Sequence, residues 1–128
     1  MRSAWFHFER VGRVSILHVS GYVDRRVEQR FERAVQEAAA GAADSVLIVS
    51  LLECSSLTYS CLLSLSCLSE VEQRPVHVVA APGSEARRMF ELPELGGLPV
   101  HDGFREAFLS IATPSLRNQP DRQVGTLA

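Results

Sequence analysis

The first forty residues alternate between hydrophobic and polar positions in a way that predicts two strands and a helix. Residues 5–11 and 14–20 alternate as strands do, and Gly12-Arg13 between them indicates a hairpin turn. After Gly21 the spacing changes to that of an amphipathic helix with one face toward a core, and Asp24 is placed to cap its start. The apolar positions of this helix are Val27, Phe31, Ala34, Val35 and Ala38.

Two continuous apolar runs, at residues 45–51 and 76–81, predict central strands. Both are rich in β-branched residues and long enough for strands that are covered on both faces. Residues 60–71 between them carry a leucine-rich pattern that predicts a largely buried helix. We therefore expect the two runs to be neighbouring strands of one sheet, joined through that helix.

The remaining elements complete one α/β domain. Ser84 is placed to cap a short helix, residues 98–101 predict a short edge strand, and Asp102 is placed to begin a last helix. The order β-β-α-β-α-β-α-β-α predicts a mixed β-sheet with helices packed on it, in a single domain over residues 1–112. Residues 113–128 are rich in proline and polar side chains and predict a flexible C-terminal tail.

Composition and charge argue against several classes of partner. The chain has 128 residues, 46% of them hydrophobic, and a formal net charge of −2. All 13 basic residues are arginines spread along the chain, so no nucleic-acid surface is expected. No apolar run is long enough to insert into a membrane, and the N-terminal residues lack the apolar core of a signal peptide. We expect a cytoplasmic protein.

The cysteines and histidines do not form a recognisable chemical motif. The three cysteines lie in or beside apolar sequence without metal-ligand spacing, so we expect them to be buried thiols and predict neither a metal site nor another cofactor. The four histidines lie far apart in predicted strands, where a structural role is the commoner one. No Ser-His-Asp order, carboxylate pair or glycine-rich phosphate loop is present, which argues against an enzyme. These residues are Cys54, Cys61, Cys67, His7, His18, His77 and His101.

The order of elements and three short segments resemble the STAS domain, the fold of bacterial anti-sigma factor antagonists and of sulfate-transporter tails. Gly21-Tyr-Val-Asp24 matches the Gly-x-x-Asp turn of that family. In the family a strand ending in Asp-Leu-Ser leads to a helix that opens with Asp-Ser-Ser-Gly-Leu, whose first serine is the usual phosphate acceptor. Aligned without a gap, Ser50-Leu51-Leu52 and Thr58-Tyr59-Ser60-Cys61-Leu62 take these places. The resemblance covers roughly residues 5–112.

The chain departs from the family where the phosphate would be added. The acceptor position holds Tyr59, and Thr58 replaces the acid before it, so the resemblance implies that the usual serine switch is absent. Ser60 and Thr58 keep hydroxyls beside that position and are the candidate phosphorylation sites. A helix start suits a phosphate because its N–H groups are unpaired, although a simple helix cap is the commoner role for a threonine at the position of Thr58. Tyr59 is either a partner-binding anchor or a structural aromatic.

The resemblance implies a non-enzymatic protein-interaction module for transcription regulation. Its partner would be an anti-sigma factor, often of the serine-kinase type, and the docking residues would be Asp24, Thr58, Tyr59 and Ser60. Two alternatives stay open. The chain could be an accessory subunit that braces the ATPase of an ABC-type lipid transporter, or a sensor of a small molecule or nucleotide. A homodimer is compatible with each of these functions.

Overall fold

The computed structural model of the chain describes residues 4–40, 46–71, 75–95 and 97–112. The predicted order of strands and helices is confirmed, and the predicted C-terminal tail, residues 113–128, lies outside the described residues. The elements are β1 (Trp5–Val11), β2 (Val14–Val23), α1 (Glu28–Ala39), β3 (Val46–Leu57), α2 (Tyr59–Val71), β4 (Val76–Val79), α3 (Glu85–Met89), a 3-10 turn (Pro93–Leu95), β5 (Val100–His101) and α4 (Phe104–Ala112).

The five strands form one mixed sheet in the order β1-β2-β3-β4-β5. The first two strands pair antiparallel through a two-residue turn, in which Gly12 has a φ of 60° that suits glycine. All other neighbours pair parallel, and β3 pairs with β4 from Leu47↔Val76 to Ser50↔Val79. The prediction that the two apolar runs are adjacent central strands is confirmed.

The helices cover the two faces of the sheet unequally. Each crossover moves one strand further in the same direction, and right-handed connections then place α1, α2 and α3 on the same face. Strand side chains on this face pack with those helices into a large core cluster, to which the helices contribute Phe31, Val35, Cys61, Leu62 and Leu65. The last helix, α4, covers the other face over a small cluster of Val14, Ile16, Ile48, Val79 and Ala107.

Two local predictions are wrong. Asp24 does not cap α1, because the residue before that helix is Val27, which makes no side-chain cap hydrogen bond. The predicted end of the third strand at residue 51 is too early, because β3 continues to Leu57 and only Thr58 separates this added segment from α2. Its small polar residues pair with the end of β2, a non-local contact that local sequence pattern does not reveal. By contrast, the predicted cap of α3 is confirmed, since Ser84 Oγ accepts a hydrogen bond from the Arg87 N–H at 3.1 Å.

Candidate functional site

The candidate site lies where the parallel strands β2 and β3 end side by side. Val23 pairs with Leu57, and each is the last residue of its strand. Asp24 and Thr58 follow directly, so the structure brings these two predicted site residues to one edge of the sheet. The carboxyl edge of a parallel sheet is a common place for binding sites. We name Asp24, Thr58, Tyr59 and Ser60 together the carboxyl-edge site.

The pairing of β3 with β2 has two irregularities on the way to this site. From His18↔Ser50 to Ser20↔Glu53, and again from Gly21↔Cys54 to Tyr22↔Ser56, β3 uses one residue more than β2. An extra residue of this kind is a β-bulge, which bends its strand and increases its twist. Gly21 stands at the second bulge with a φ of 87°, a conformation that other residues seldom adopt.

Asp24 closes the turn that leads into α1. Its Oδ1 accepts a hydrogen bond from the Arg26 N–H at 3.0 Å, and its Oδ2 accepts one from Arg26 Nη2 at 3.3 Å. The Asp24 carbonyl oxygen accepts from the Val27 N–H at 3.0 Å. About half of the Asp24 side chain stays exposed. The carboxylate is thus held in a fixed direction while still accessible to a partner.

Thr58 is the residue before α2, and its hydroxyl group is engaged. The Thr58 carbonyl oxygen accepts from the Cys61 N–H at 3.1 Å, while Thr58 Oγ1 donates to Cys61 Sγ at 3.3 Å. Cys61 is fully buried, and burial raises the pKa of its thiol to about 11. Burial also raises the pKa of Cys54, which lies in β3 close to its carboxyl end, to about 11. Both thiols stay protonated near neutral pH, so neither is an activated nucleophile.

Tyr59 and Ser60 point to different sides of the α2 start, because consecutive helix positions are turned by about 100°. Tyr59 is half-buried against the large core cluster, and its phenol group lies near the Glu94 carboxylate. Its partial burial, and then the charge and hydrogen bond of Glu94, raise the pKa of Tyr59. Ser60 is exposed and faces α1. Tyr59 and Ser60 are therefore adjacent in sequence and face different neighbours.

A groove of about 500 Å³ runs between α1 and α2. Ser64 Oγ, on α2, lies 3.1 Å from Glu32 Oε2 on α1 and also 3.1 Å from the Ser60 carbonyl oxygen of its own helix. Its single hydroxyl proton can be donated to either acceptor, and the bond to Glu32 joins the two helices. Serines at positions 60 and 64 are one helical turn apart, which is the signal that could have suggested a polar stripe. The groove is lined by Glu32, Val35, Gln36, Ser60, Leu63, Ser64, Cys67 and Leu68.

The sequence also did not indicate a pair of histidines on the face of the sheet that α4 covers. His77 Nδ1 lies 3.0 Å from His101 Nε2, and the two rings are stacked with centroids 5.2 Å apart. Burial, with a smaller effect of His101, lowers the pKa of His77 to about 4. The two residues are far apart in sequence and meet only because β4 pairs with β5, so a register was needed to find them.

The described residues show neither a metal-ligand group nor a membrane span. Within residues 4–40, 46–71, 75–95 and 97–112, no three His, Cys, Asp or Glu side chains are placed to hold a metal ion. The helices in this part of the chain are all too short or too polar to cross a membrane.

Comparison with solved structures identifies the fold. An anti-sigma factor antagonist from Mycobacterium paratuberculosis matches with a TM-score of 0.74 at 20% identity, over 86% of this chain and 95% of that chain. SpoIIAA, an anti-sigma factor antagonist solved in its unphosphorylated form, matches with a TM-score of 0.64 at 16% identity, over 86% and 97%. A serine-to-glutamate variant of RsbS from Moorella thermoacetica matches with a TM-score of 0.70 at 13% identity, over 86% and 97%.

No protein-family profile matches the chain, and a search of curated proteins also finds no match. Sequence identities of 13–20% show the fold alone. The chain therefore has the STAS fold found in anti-sigma factor antagonists, as its sequence predicted.

Proposed function

We propose that this protein regulates transcription by docking to a protein partner through the carboxyl-edge site, and that the partner is an anti-sigma factor of the serine-kinase type. The supporting observation is the placement of Asp24 and Thr58 at adjacent strand ends, directly before α2, in the fold of known anti-sigma factor antagonists. The protein acts in this proposal by binding and not by catalysis. Its buried, protonated thiols are in keeping with that role.

The site offers a partner a mixture of fixed and exposed groups. Asp24 presents a carboxylate whose direction is set by Arg26, and Ser60 presents an exposed hydroxyl at the start of a 13-residue helix. Tyr59 adds a half-buried ring with an exposed part, a combination that is common among interface anchors. Together these groups form a polar docking surface with one aromatic residue.

The same residues explain why the usual serine switch would be absent. A kinase that phosphorylates the family position would meet the Tyr59 phenol, which lies near the Glu94 carboxylate. Thr58 is half-buried and donates its hydroxyl proton to Cys61. Only Ser60 has an exposed hydroxyl among these three residues. A phosphate added there would place nearly two negative charges beside Glu32 and Ser64 in the groove, which is unfavourable.

Binding measurements test the docking site directly. Each serine-kinase-type anti-sigma factor of the source organism is titrated with the purified protein, and the same titrations are repeated with Asp24→Arg and Tyr59→Ala. We expect each change to weaken binding by about 1–2 kcal/mol or more, as loss of an interface anchor does. Glu106→Arg is the matched control for Asp24→Arg, because it makes the same charge change on exposed α4.

Thermal unfolding of each variant separates a lost contact from a lost fold. Tyr59→Ala also removes the contact with the core cluster and with Glu94, so its affinity is interpreted only if the variant remains folded at the temperature of the titration. Unchanged affinity for both Asp24→Arg and Tyr59→Ala, with a folded protein, would move the interface away from the carboxyl-edge site. The absence of binding to every anti-sigma factor tested would remove the proposed partner class.

Phosphate mapping tests the absence of the serine switch. The protein is incubated with the anti-sigma kinase that binds it and with ATP, and phosphate is located by mass spectrometry. We expect no stoichiometric phosphate at Thr58, Tyr59 or Ser60. Stoichiometric phosphate at Ser60 or Thr58 would show that the switch is present and displaced by one residue, and Ser60→Ala or Thr58→Val would then abolish it.

The α1–α2 groove favours a second candidate function, the sensing of a small molecule. Its volume of about 500 Å³ lies within the usual range for ligand sites, and apolar side chains line it beside the polar Glu32–Ser64 pair. A ligand there would contact Ser60 and so reach the carboxyl-edge site. Screening a nucleotide and metabolite panel by thermal shift, with Leu63→Arg as the variant that fills the groove, tests this function. An accessory role in a transporter stays a prediction of the sequence.

A further inference from the structure

The outer edge of β1 is long, regular and partly apolar. The strand has seven residues and no proline, and in the part of the chain that the structure describes no strand pairs with its outer side. Trp5, Phe8 and Val11 are exposed to 70%, 47% and 45%. Natural proteins usually protect such edges with proline, lysine or short strands, because an open edge pairs with other strands.

The other edge of the sheet is protected. Its strand, β5, has two residues and follows Pro99 directly. Asp102 after it is held by Arg87, whose Nη1 donates to Asp102 Oδ1 at 2.7 Å. A two-residue strand offers too few backbone groups for a stable further pair. The difference between the two edges indicates that β1 is kept open for pairing.

The hairpin geometry determines which backbone groups of β1 face outward. The two-residue turn closes on the pair Val11↔Val14, which is the hydrogen-bonded kind, and the two kinds alternate along an antiparallel ladder. The odd-numbered residues of β1 therefore direct their N–H and C=O groups to β2. Phe6, Phe8 and Arg10 direct theirs to the open side, where they form three unpaired donor–acceptor sets.

We propose that a second copy of this chain binds there, with the two β1 strands antiparallel about a two-fold axis at Phe8. The three outward residues then pair only with one another, Phe8 with Phe8 of the second copy and Phe6 with Arg10. This register makes six main-chain hydrogen bonds and pairs all seven residues of the strand. The two sheets become one continuous ten-stranded sheet.

Side chains complement one another in this register on both faces of the sheet. On the α4 side, Trp5 lies opposite Val11, which is an apolar pair, and His7 lies opposite Glu9, whose Oε1 is also 2.8 Å from His18 Nε2 of its own chain. On the α1 side, Phe6 lies opposite Arg10, an aromatic–cation pair. Moving the register by two residues places His7 opposite His7 or Glu9 opposite Glu9, and leaves strand ends unpaired. The sequence of β1 is thus complementary to itself about Phe8 alone.

The surroundings of Phe8 leave room for a second ring. Phe6, Phe8 and Leu17 of the sheet and Ala34, Glu37 and Ala38 of α1 line a hollow of about 260 Å³ beside the edge. At the two-fold axis the two Phe8 rings meet at this hollow and become buried. The carboxyl-edge site follows β2 and β3, so the dimer leaves it accessible, and the dimer does not depend on the proposed docking function.

Sedimentation equilibrium from low to high micromolar concentration measures the association of the full chain. We expect a reversible dimer, and we expect Phe8→Lys to raise its dissociation constant by about tenfold or more, because two ammonium groups then meet at the axis. Leu92→Lys is the matched control, since Leu92 is also an exposed apolar residue and lies far from β1, and it leaves the dissociation constant unchanged. A monomer at every concentration overturns the proposal.

Cross-linking tests the register without relying on a destabilising change. In a Cys67→Ser background, which removes the exposed thiol, Phe8→Cys is expected to give a disulfide-linked dimer on mild oxidation, because Cα atoms opposite each other in such a pair lie about 5.5 Å apart. Arg10→Cys is the control, since the two copies of that position lie four residues out of register. Failure of Phe8→Cys to cross-link, or equal cross-linking of Arg10→Cys, contradicts the proposed pairing.

Discussion

The two faces of the sheet differ in what covers them and in the kind of side chain they bury. Three helices cover one face, where the cluster consists of aliphatic side chains, Phe31, Phe90 and two buried thiols. One helix covers the other face, where a small apolar cluster lies among imidazoles. His18 contacts Phe104 of α4 with ring centroids 5.6 Å apart, and His77 and His101 are stacked.

We expect the two faces to contribute differently to the free energy of unfolding and to its dependence on pH. Shortening a large buried aliphatic side chain lowers stability more than most other substitutions. The three-helix face should therefore supply most of the free energy of unfolding. Imidazoles change charge in the mildly acidic range, so the α4 face should decide how stability responds to pH. The carboxyl-edge site lies at the end of the three-helix face, beside the part of the molecule that we expect to be rigid.

The largest expected effect is a cavity in the three-helix face. Leu65 is fully buried, and Leu65→Ala should lower the free energy of unfolding by about 2–5 kcal/mol. Leu109→Ala on α4 makes the same change at a side chain that is 53% exposed, and should cost about 0.5 kcal/mol or less. Urea unfolding measures both. Equal losses would mean that the two faces do not differ as the burial indicates.

An intermediate effect is expected from acid on the α4 face. The pKa of His77 is about 4 in the folded protein and 6.5 is its ordinary value, so the unfolded chain binds the proton more tightly. Stability should therefore be unaffected by His77 above about pH 6.5 and fall as the pH decreases toward 4. Allowing for the half-exposed ring, we expect a loss of about 1–2 kcal/mol.

Denaturant unfolding at several pH values checks this loss. His77→Gln should remove the His77 part of the pH dependence between pH 6.5 and 4. A variant with glutamine at position 77 that keeps the full acid sensitivity would assign the response to other groups.

The smallest expected effect is in the hydrogen bond that joins α1 to α2. Ser64→Ala should cost about 0.5–1 kcal/mol, because Ser64 Oγ is half-buried and donates one proton. Glu32→Gln keeps an acceptor oxygen and should cost less. A double-mutant cycle with Glu32→Ala measures the coupling between the two side chains. Zero coupling would show that Ser64 bonds only to the Ser60 carbonyl oxygen.

Local sequence pattern predicted the elements well and their junctions poorly. Each element has a pattern of apolar positions that reflects how much of it is buried. Strands β1 and β2 alternate, β3 and β4 are apolar runs, and α1 and α2 have helical spacing. The apolar run of β3 is interrupted near its end, because residues 53–56 are small or polar. They are extended because β2 lies beside them, and no local signal carries that pairing.

The sequence predicted which element the candidate residues begin, and it did not predict their contacts. The sequence placed Thr58, Tyr59 and Ser60 at a helix start, as the structure has them. It did not show that the Tyr59 phenol turns to Glu94, that Thr58 donates to a buried thiol, or that Asp24 closes a turn instead of capping α1. These contacts depend on how α2 is rotated about its axis and on where β2 and β3 end, and the sequence pattern specifies neither.

The sequence by itself determined the fold class, the order of the elements and the placement of Thr58, Tyr59 and Ser60 at a helix start, because burial periodicity and small local motifs specify these without knowledge of the neighbours. Only the tertiary structure decided which face each helix covers, where the two bulges fall, and that His77 meets His101. It also decided that β1 forms an open edge of the sheet. Strand order and register bring distant residues into contact, and such contacts are properties of the assembled sheet and not of any one segment.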